Sequence, residues 1–254
     1  MSRYFIEISY KGTNYFGWQL QPRHISVQEV INKELSTLMR EEINILGSSR
    51  TDTGVHASQT FAHFDTSKKI PTAFLRRINF MLPHDIAVHR LILVDDDCHA
   101  RFDASSRSYE YIYSLKKNPF NRDTACYYPY DKPDIKLLNQ TAKIISSHNE
   151  FVAFSKRRTQ VKTTVCNITE SYWDENADEE TFTYHITANR FLRGMVRGLV
   201  ASQMLVGRKK KTIKQFEKLL SNPHAHETDF SAPANGLTLI AVRYPYSLTP
   251  YETD

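Results

Sequence analysis

The hydrophobic residues of this chain run twice through one order of spacings: strand, helix, strand, strand, helix, strand. In the first pass Tyr4, Ile6, Ile8 and Tyr10 alternate with other residues, the period-two signature of a strand. Ser26 and Glu29 then have the spacing of a capping box, ahead of a helix that carries Val27, Val30, Ile31, Leu35 and Leu38 on one face. Strands are expected at about 43–46 and 55–64, a helix opened by Pro71 and running through Met81, and a strand at 86–94. This is the ferredoxin-like order. After a seam at 101–106 it returns. Tyr109, Tyr111, Tyr113 and Leu115 alternate along a strand, a helix spans 134–147, and 165–173 and 181–188 form a hairpin with an acidic tip at 174–180. Helices at 191–206 and 213–220 and a last strand near 237–244 complete the second pass. The fold class is therefore α+β, with two ferredoxin-like (RRM-like) halves at 1–104 and 105–254.

With 41% hydrophobic and 24% charged residues the chain is globular rather than disordered. A net charge of +5 favours a polyanionic partner. Cys98, Cys126 and Cys166 are odd in number and far apart, which fits a reducing, cytoplasmic setting better than a disulfide framework. The opening Met-Ser-Arg leads straight into the first strand without a signal-peptide core, and no apolar run is long enough to span a bilayer, so a cytosolic protein without a membrane partner is expected.

The segment most suggestive of chemistry is Gly47-Ser48-Ser49-Arg50-Thr51-Asp52-Thr53-Gly54-Val55-His56-Ala57. It sets one carboxylate, Asp52, in a short polar loop, with a glycine at either end to let the backbone turn and a guanidinium two residues before it. Arg190, Arg193 and Arg197 lie on or just before the helix at 191–206, the last two expected to share a face. A cation amid so many apolar residues calls for a partner such as Asp52. Tyr109, nearest the seam, is placed to stack on an extruded base, whereas Tyr111 and Tyr113 read as one face of a half-buried strand. The basic loop Lys156, Arg157, Arg158, Lys162 and the run Arg208-Lys209-Lys210-Lys211 are candidate phosphate contacts. The histidine pairs His56/His63, His84/His89 and His224/His226 lack metal-site spacing, and phosphate-binding glycine loops and a serine-hydrolase elbow are missing. Asp95, Asp96 and Asp97, a cluster a metal-dependent phosphodiesterase would need, read as a solvated turn.

Across nearly its whole length the sequence resembles the TruA family of tRNA pseudouridine synthases. The resemblance is carried by Ile8-Ser9-Tyr10-Lys11-Gly12-Thr13, Phe16-Gly17-Trp18-Gln19, Ser26-Val27-Gln28-Glu29 and Arg50-Thr51-Asp52-Thr53-Gly54-Val55-His56. It continues through Asn79 with Leu82-Pro83, Phe102-Asp103-Ala104, Arg107 with Tyr109 and Tyr111, Asn189 with Phe191-Leu192 and Met195-Val196-Arg197, and Ala232-Pro233-Ala234 with Gly236-Leu237. Carried over, Asp52 is the essential aspartate, Arg50 helps expose the target nucleotide, Tyr109 packs on the uracil, and Arg197 pairs with the aspartate. Ser49 and Thr53 stand where smaller residues are common.

The resemblance also implies one extended sheet with the active-site cleft between the halves, a homodimer, and uridines 38 to 40 of the tRNA anticodon stem-loop as target. The reaction breaks the N1–C1′ bond and rejoins the uracil through C5, which demands no metal or cofactor. The carboxylate can add to the base, add to the sugar, or remove a sugar proton on a glycal route. From the residues alone, basic segments and exposed aromatics also fit an RNA-binding or chaperone module without chemistry.

Overall fold

A computed structural model describes residues 1–155, 163–221 and 228–251. The expected basic loop at Lys156, Arg157, Arg158 and Lys162, and the pair His224/His226, lie outside the described residues. Among those described are nine β-strands and five α-helices, with largely antiparallel pairing. Two compact units emerge, one comprising Met1–Ser105 with Leu239–Asp254 and the other Ser106–Thr238.

The first unit opens with β1 (Ser2–Tyr10) and α1 (Val27–Met39). The capping box forms as the spacing requires: Glu29 N–H donates to Ser26 Oγ (3.3 Å) and Ser26 N–H donates to Glu29 Oε2 (3.4 Å). β2 (Leu46–Gly47) is shorter and later than the strand expected at 43–46. The reason is that α1 side chains take the backbone of that stretch: Ile43 N–H donates to Ser36 Oγ and Ile45 N–H to Asn32 Oδ1. β3 (His56–Thr66), α2 (Phe74–Met81) and β4 (Ile86–Val94) follow. Ala73 takes a left-handed φ of 54°, which no α-helix can pass through, so α2 starts there and not at Pro71. The strand order is β4-β1-β3, with β2 on β3, all antiparallel.

The second unit contains β5 (Ser106–Ser114), β6 (Cys126–Tyr127), α3 (Ile135–Ser146), β7 (Ile168–Asn176), β8 (Thr181–Ala188), α4 (Met195–Gly207) and α5 (Ile213–Ser221). Its strands run β5-β8-β7, with β6 added in parallel to β5. Asp134 caps α3 by accepting from the Lys136 and Leu137 amides. The hairpin tip is shorter than expected, because Asp174, Glu175 and Asn176 continue the β7 ladder opposite Thr183, Phe182 and Thr181. Trp173 and Tyr184 stack at 4.9 Å in the core beneath α3 and α4.

The last strand, β9 (Leu237–Arg243), lies beside β3. Its end and the tail after it group with the first unit, not with a domain spanning 105–254. The physical reason is the tyrosine that follows it. Tyr244 packs edge-on against Phe5 and Phe61 (5.5 and 5.4 Å) and donates to the Ala100 carbonyl (2.6 Å). Phe5, which simple alternation would expose, is thereby fully buried alongside Tyr4 and Ile6.

Candidate active site

In the first unit the Asp52 loop is held by the segment that follows β1. Gly12 N–H donates to His56 Nδ1 (3.0 Å), and the Tyr10 and Thr51 hydroxyls share a hydrogen bond (2.8 Å). Trp18 N–H donates to the Thr51 carbonyl (3.2 Å), Gly54 N–H to the Tyr15 carbonyl (3.3 Å), and Val55 N–H to the Asp52 carbonyl (3.1 Å). The two strands of chain approach so closely that a Cβ on Gly17 would sit 2.6 Å from Thr51 O, and one on Gly12 would sit 2.0 Å from Val55 O. The blocks around Gly12, Gly17-Trp18 and 50–56 are thus two halves of one clamp. It fixes the backbone on both sides of Asp52, which is half-buried, and leaves Arg50 exposed. Sequence reasoning singled out Asp52 but missed the clamp, since contact between segments so far apart leaves no local periodicity.

Of the two flanking glycines, Gly54 has the positive φ (77°) expected of a turn. Gly47 does not; it is glycine because a Cβ there would meet the buried Trp18 ring at 2.4 Å. Ser49 and Thr53 are absent from the non-glycine residues with positive φ, which are Arg23, Arg40, Ala73, Glu180 and Lys209. The larger residues at these two positions therefore cost the loop no backbone strain. The Ser49 hydroxyl is buried with no hydrogen-bond partner among the described residues.

In the second unit Tyr109 sits on β5 opposite Ile186, half-buried, with the Phe191 ring edge-on at 5.2 Å. Tyr111 and Tyr113, further along the strand, are core residues; Tyr111 donates to the Pro233 carbonyl (3.0 Å). Burial pushes both phenols far above their usual titration range. Arg197 lies in the first turns of α4, where its Nε donates to the Ala232 carbonyl (2.6 Å) and its Nη2 to the Phe230 carbonyl (3.3 Å). Arg197 and Tyr111 together hold the segment that contains the Ala232-Pro233-Ala234 block. Two of the five guanidinium N–H donors serve those carbonyls. The expected partnership of Arg193 and Arg197 on one helix face does not form, because Gly194 is left-handed (φ 73°) and α4 begins only after it.

The remaining blocks have structural work. Asn79 bridges α2 to β4, its Nδ2 donating to the Val88 carbonyl and its Oδ1 accepting from the Val88 amide. Asn189 Oδ1 accepts from Asn167 N–H, and the Asn189 carbonyl accepts from Arg107. Asp103 accepts from the His99 amide (2.6 Å) and the Tyr246 hydroxyl (2.9 Å). His63 Nδ1 accepts from Ala100 N–H, and burial, reinforced by His99 and Arg3, pushes the imidazole down to about 4. It is neutral at physiological pH. Asp95, Asp97 and Cys98 converge within 4.8 Å, but on an exposed turn.

Comparison with known proteins gives these residues a family. A tRNA pseudouridine synthase family model matches residues 7–103 and 147–245. Arg50, Asp52 and Arg197 fall inside the match, while Tyr109 falls between its two stretches. The tRNA pseudouridine synthase A of Bacteroides thetaiotaomicron is 42% identical over 255 residues, covering 100% of this chain and 94% of the relative. That of Bacteroides fragilis is 40% identical over 98% of both chains. That of Staphylococcus aureus strain JH1 is 34% identical, over 93% of this chain and 89% of its own. The chain belongs to the tRNA pseudouridine synthase family, a class of isomerases that turn uridine into pseudouridine in tRNA.

Proposed function

We propose that this protein isomerises uridines at positions 38 to 40 of the tRNA anticodon stem-loop, with Asp52 as its essential carboxylate. The observation that carries this reading is the clamp. It spends hydrogen bonds and close glycine contacts on the backbone around Asp52, which is what an active site needs to present a reactive group in one position. Tyr109 then packs on the extruded uracil, Arg50 helps keep the nucleotide out of the helix, and Arg197 pairs with the carboxylate. Extrusion costs a few kcal/mol, and stacking on a tyrosine recovers about 1–3 of them. These four residues are read as converging in a cleft between two ferredoxin-like halves whose sheets join. The strand order β4-β1-β3 with β2 on β3 supports that reading for the first half.

The chemistry is balanced without an external reactant. The N1–C1′ bond breaks, the C5–C1′ bond forms, C5 loses its hydrogen as a proton and N1 gains one. No cofactor is assigned. The enzyme acts as a homodimer on this reading. Its cysteines (Cys98, Cys126 and Cys166) are free thiols, and no described helix is long and apolar enough to cross a membrane, which accords with a cytoplasmic enzyme. The test is a tRNA transcript carrying tritium at C5 of uridine. Incubation with the protein releases tritium to water, and mapping places the product at positions 38 to 40. Binding of the transcript without release leaves an RNA-binding module and refutes the enzyme.

A further inference from the structure

We infer that the end of α4 is a second RNA contact, gripping the phosphate backbone of the tRNA away from the target nucleotide. The inference rests on the proposed tRNA substrate and extends it. The surface is built from Arg208, Lys209, Lys210, Lys211 and the ring pair Tyr128 and Tyr130. The Arg208 guanidinium lies 4.6 Å over the Tyr128 ring and donates through Nε to the Met204 carbonyl (3.2 Å). Tyr128 is 4.6 Å from Tyr130, which is 68% exposed. A planar cation on an aromatic ledge with an exposed ring at its edge is suited to a phosphate and the adjoining ribose or base.

The strongest pointer is Lys209. It closes α4 in a Schellman motif, with Lys210 N–H donating to Leu205 O and Lys209 N–H to Val206 O, both at 2.8 Å. The motif forces Lys209 to φ 59°, where glycine is preferred and a lysine costs stability. Complementing the helix dipole explains a cation near this terminus but not one at the strained position, because Arg208, Lys210 and Lys211 serve the dipole without strain.

Among the described residues, the carboxylates lining this turn are Asp131, which is exposed, and Asp134. The open hollow beside this turn, about 360 Å³, is lined by Asp131, Lys132, Asp134, Arg208 and Lys209 among others. Asp134 is occupied in capping α3, and Lys132 is bridged to Glu175 (2.6 Å). Among the described residues, none of Lys209, Lys210 and Lys211 takes part in a salt bridge.

Filter binding of an unmodified tRNA transcript between about 50 and 200 mM salt tests the inference, because each lost phosphate contact lowers the slope of log affinity against log salt by about one. A triple variant, Lys209→Gly, Lys210→Ser, Lys211→Ser, is expected to lower that slope by about three and to weaken binding at least tenfold at the lower salt. The matching triple change to arginine keeps both. Lys209→Gly alone separates RNA contact from helix capping: Tm rises by about 2 °C as the strain is relieved, while affinity falls about threefold. Unchanged affinity in either glycine-containing variant, with the circular dichroism of the unaltered protein, overturns the inference. Absence of tritium release from the unaltered protein refutes the proposed reaction instead and leaves the salt slopes to be judged separately.

Discussion

Asp52 is the only carboxylate in the segment that the clamp holds, and the clamp acts on backbone atoms of Thr51, Asp52 and Gly54. Those hydrogen bonds are made by backbone atoms and not by the carboxylate. Asp52→Asn, nearly isosteric and neutral, should therefore lower tritium release by about 10³-fold or more while leaving tRNA affinity within about threefold. Turnover close to that of the unaltered enzyme would remove Asp52 from the chemistry. A second residue-scale prediction concerns His63, which faces His99, Arg3, Asp65 and Asp103. Its imidazole titrates near 6.5 when unfolded but about 4 when folded, so the unfolded chain takes up the proton first as pH falls. Stability is complete above about pH 6.5 and is lost down to about pH 4, with about 2 kcal/mol gone by pH 5. His63→Asn, which can still accept from the Ala100 amide, should flatten the fall in Tm between pH 7 and pH 5. An equally steep fall would place the pH sensitivity elsewhere. At this scale the sequence singles out Asp52 because its motif is contiguous. The roles of Gly12 and Gly47 were not legible, since both follow from what packs against them: Val55 and Trp18.

Elements were legible where side chains signalled their ends. The Ser26/Glu29 box starts α1, and the alternating apolar residues of 86–94 form β4 over just those residues. They were illegible where tertiary structure intervened. Ser36 and Asn32 take the backbone of 43–45 away from the sheet, and the left-handed Ala73 and Gly194 postpone the starts of α2 and α4. Asparagines also manage the outer strands. Among the described strands β4 pairs only with β1, and Asn79 supplies a partner at Val88; β7 pairs only with β8, and Asn139 does the same at Trp173. In each case one amide both donates to and accepts from a strand residue, as a neighbouring strand would. Asn79→Ala therefore leaves a backbone donor and acceptor of a part-buried strand unmatched, at a cost of about 1–3 kcal/mol. The expected drop in Tm is about 2–8 °C with little change in kcat. A loss of kcat at unchanged Tm would instead make Asn79 part of the site.

At the scale of the whole molecule, the sequence distributes the proposed machinery over two units, Asp52 in one and Tyr109 and Arg197 in the other. The return of 239–254 to the first unit was not legible, because a strand's local pattern does not say which neighbour it joins. Nor could charge composition indicate where on the surface the excess cations gather. The proposal that residues of two units serve a single uracil has a quantitative consequence. Asp52→Glu keeps the carboxylate but displaces it by about one carbon–carbon bond, and Tyr109→Leu removes the ring that packs on the base. Each should lower kcat/KM by about 10–100-fold, since a displacement of about 1 Å costs that much in a preorganised site. Groups that act on one reacting nucleotide do not act independently in catalysis, because the second change removes stabilisation the first has already forfeited. The double variant should therefore remain within about tenfold of the slower single variant, far from the product of the two losses. Losses that multiply in kcat/KM would mean that Asp52 and Tyr109 never meet the same base, and the proposed shared cleft would have to be abandoned.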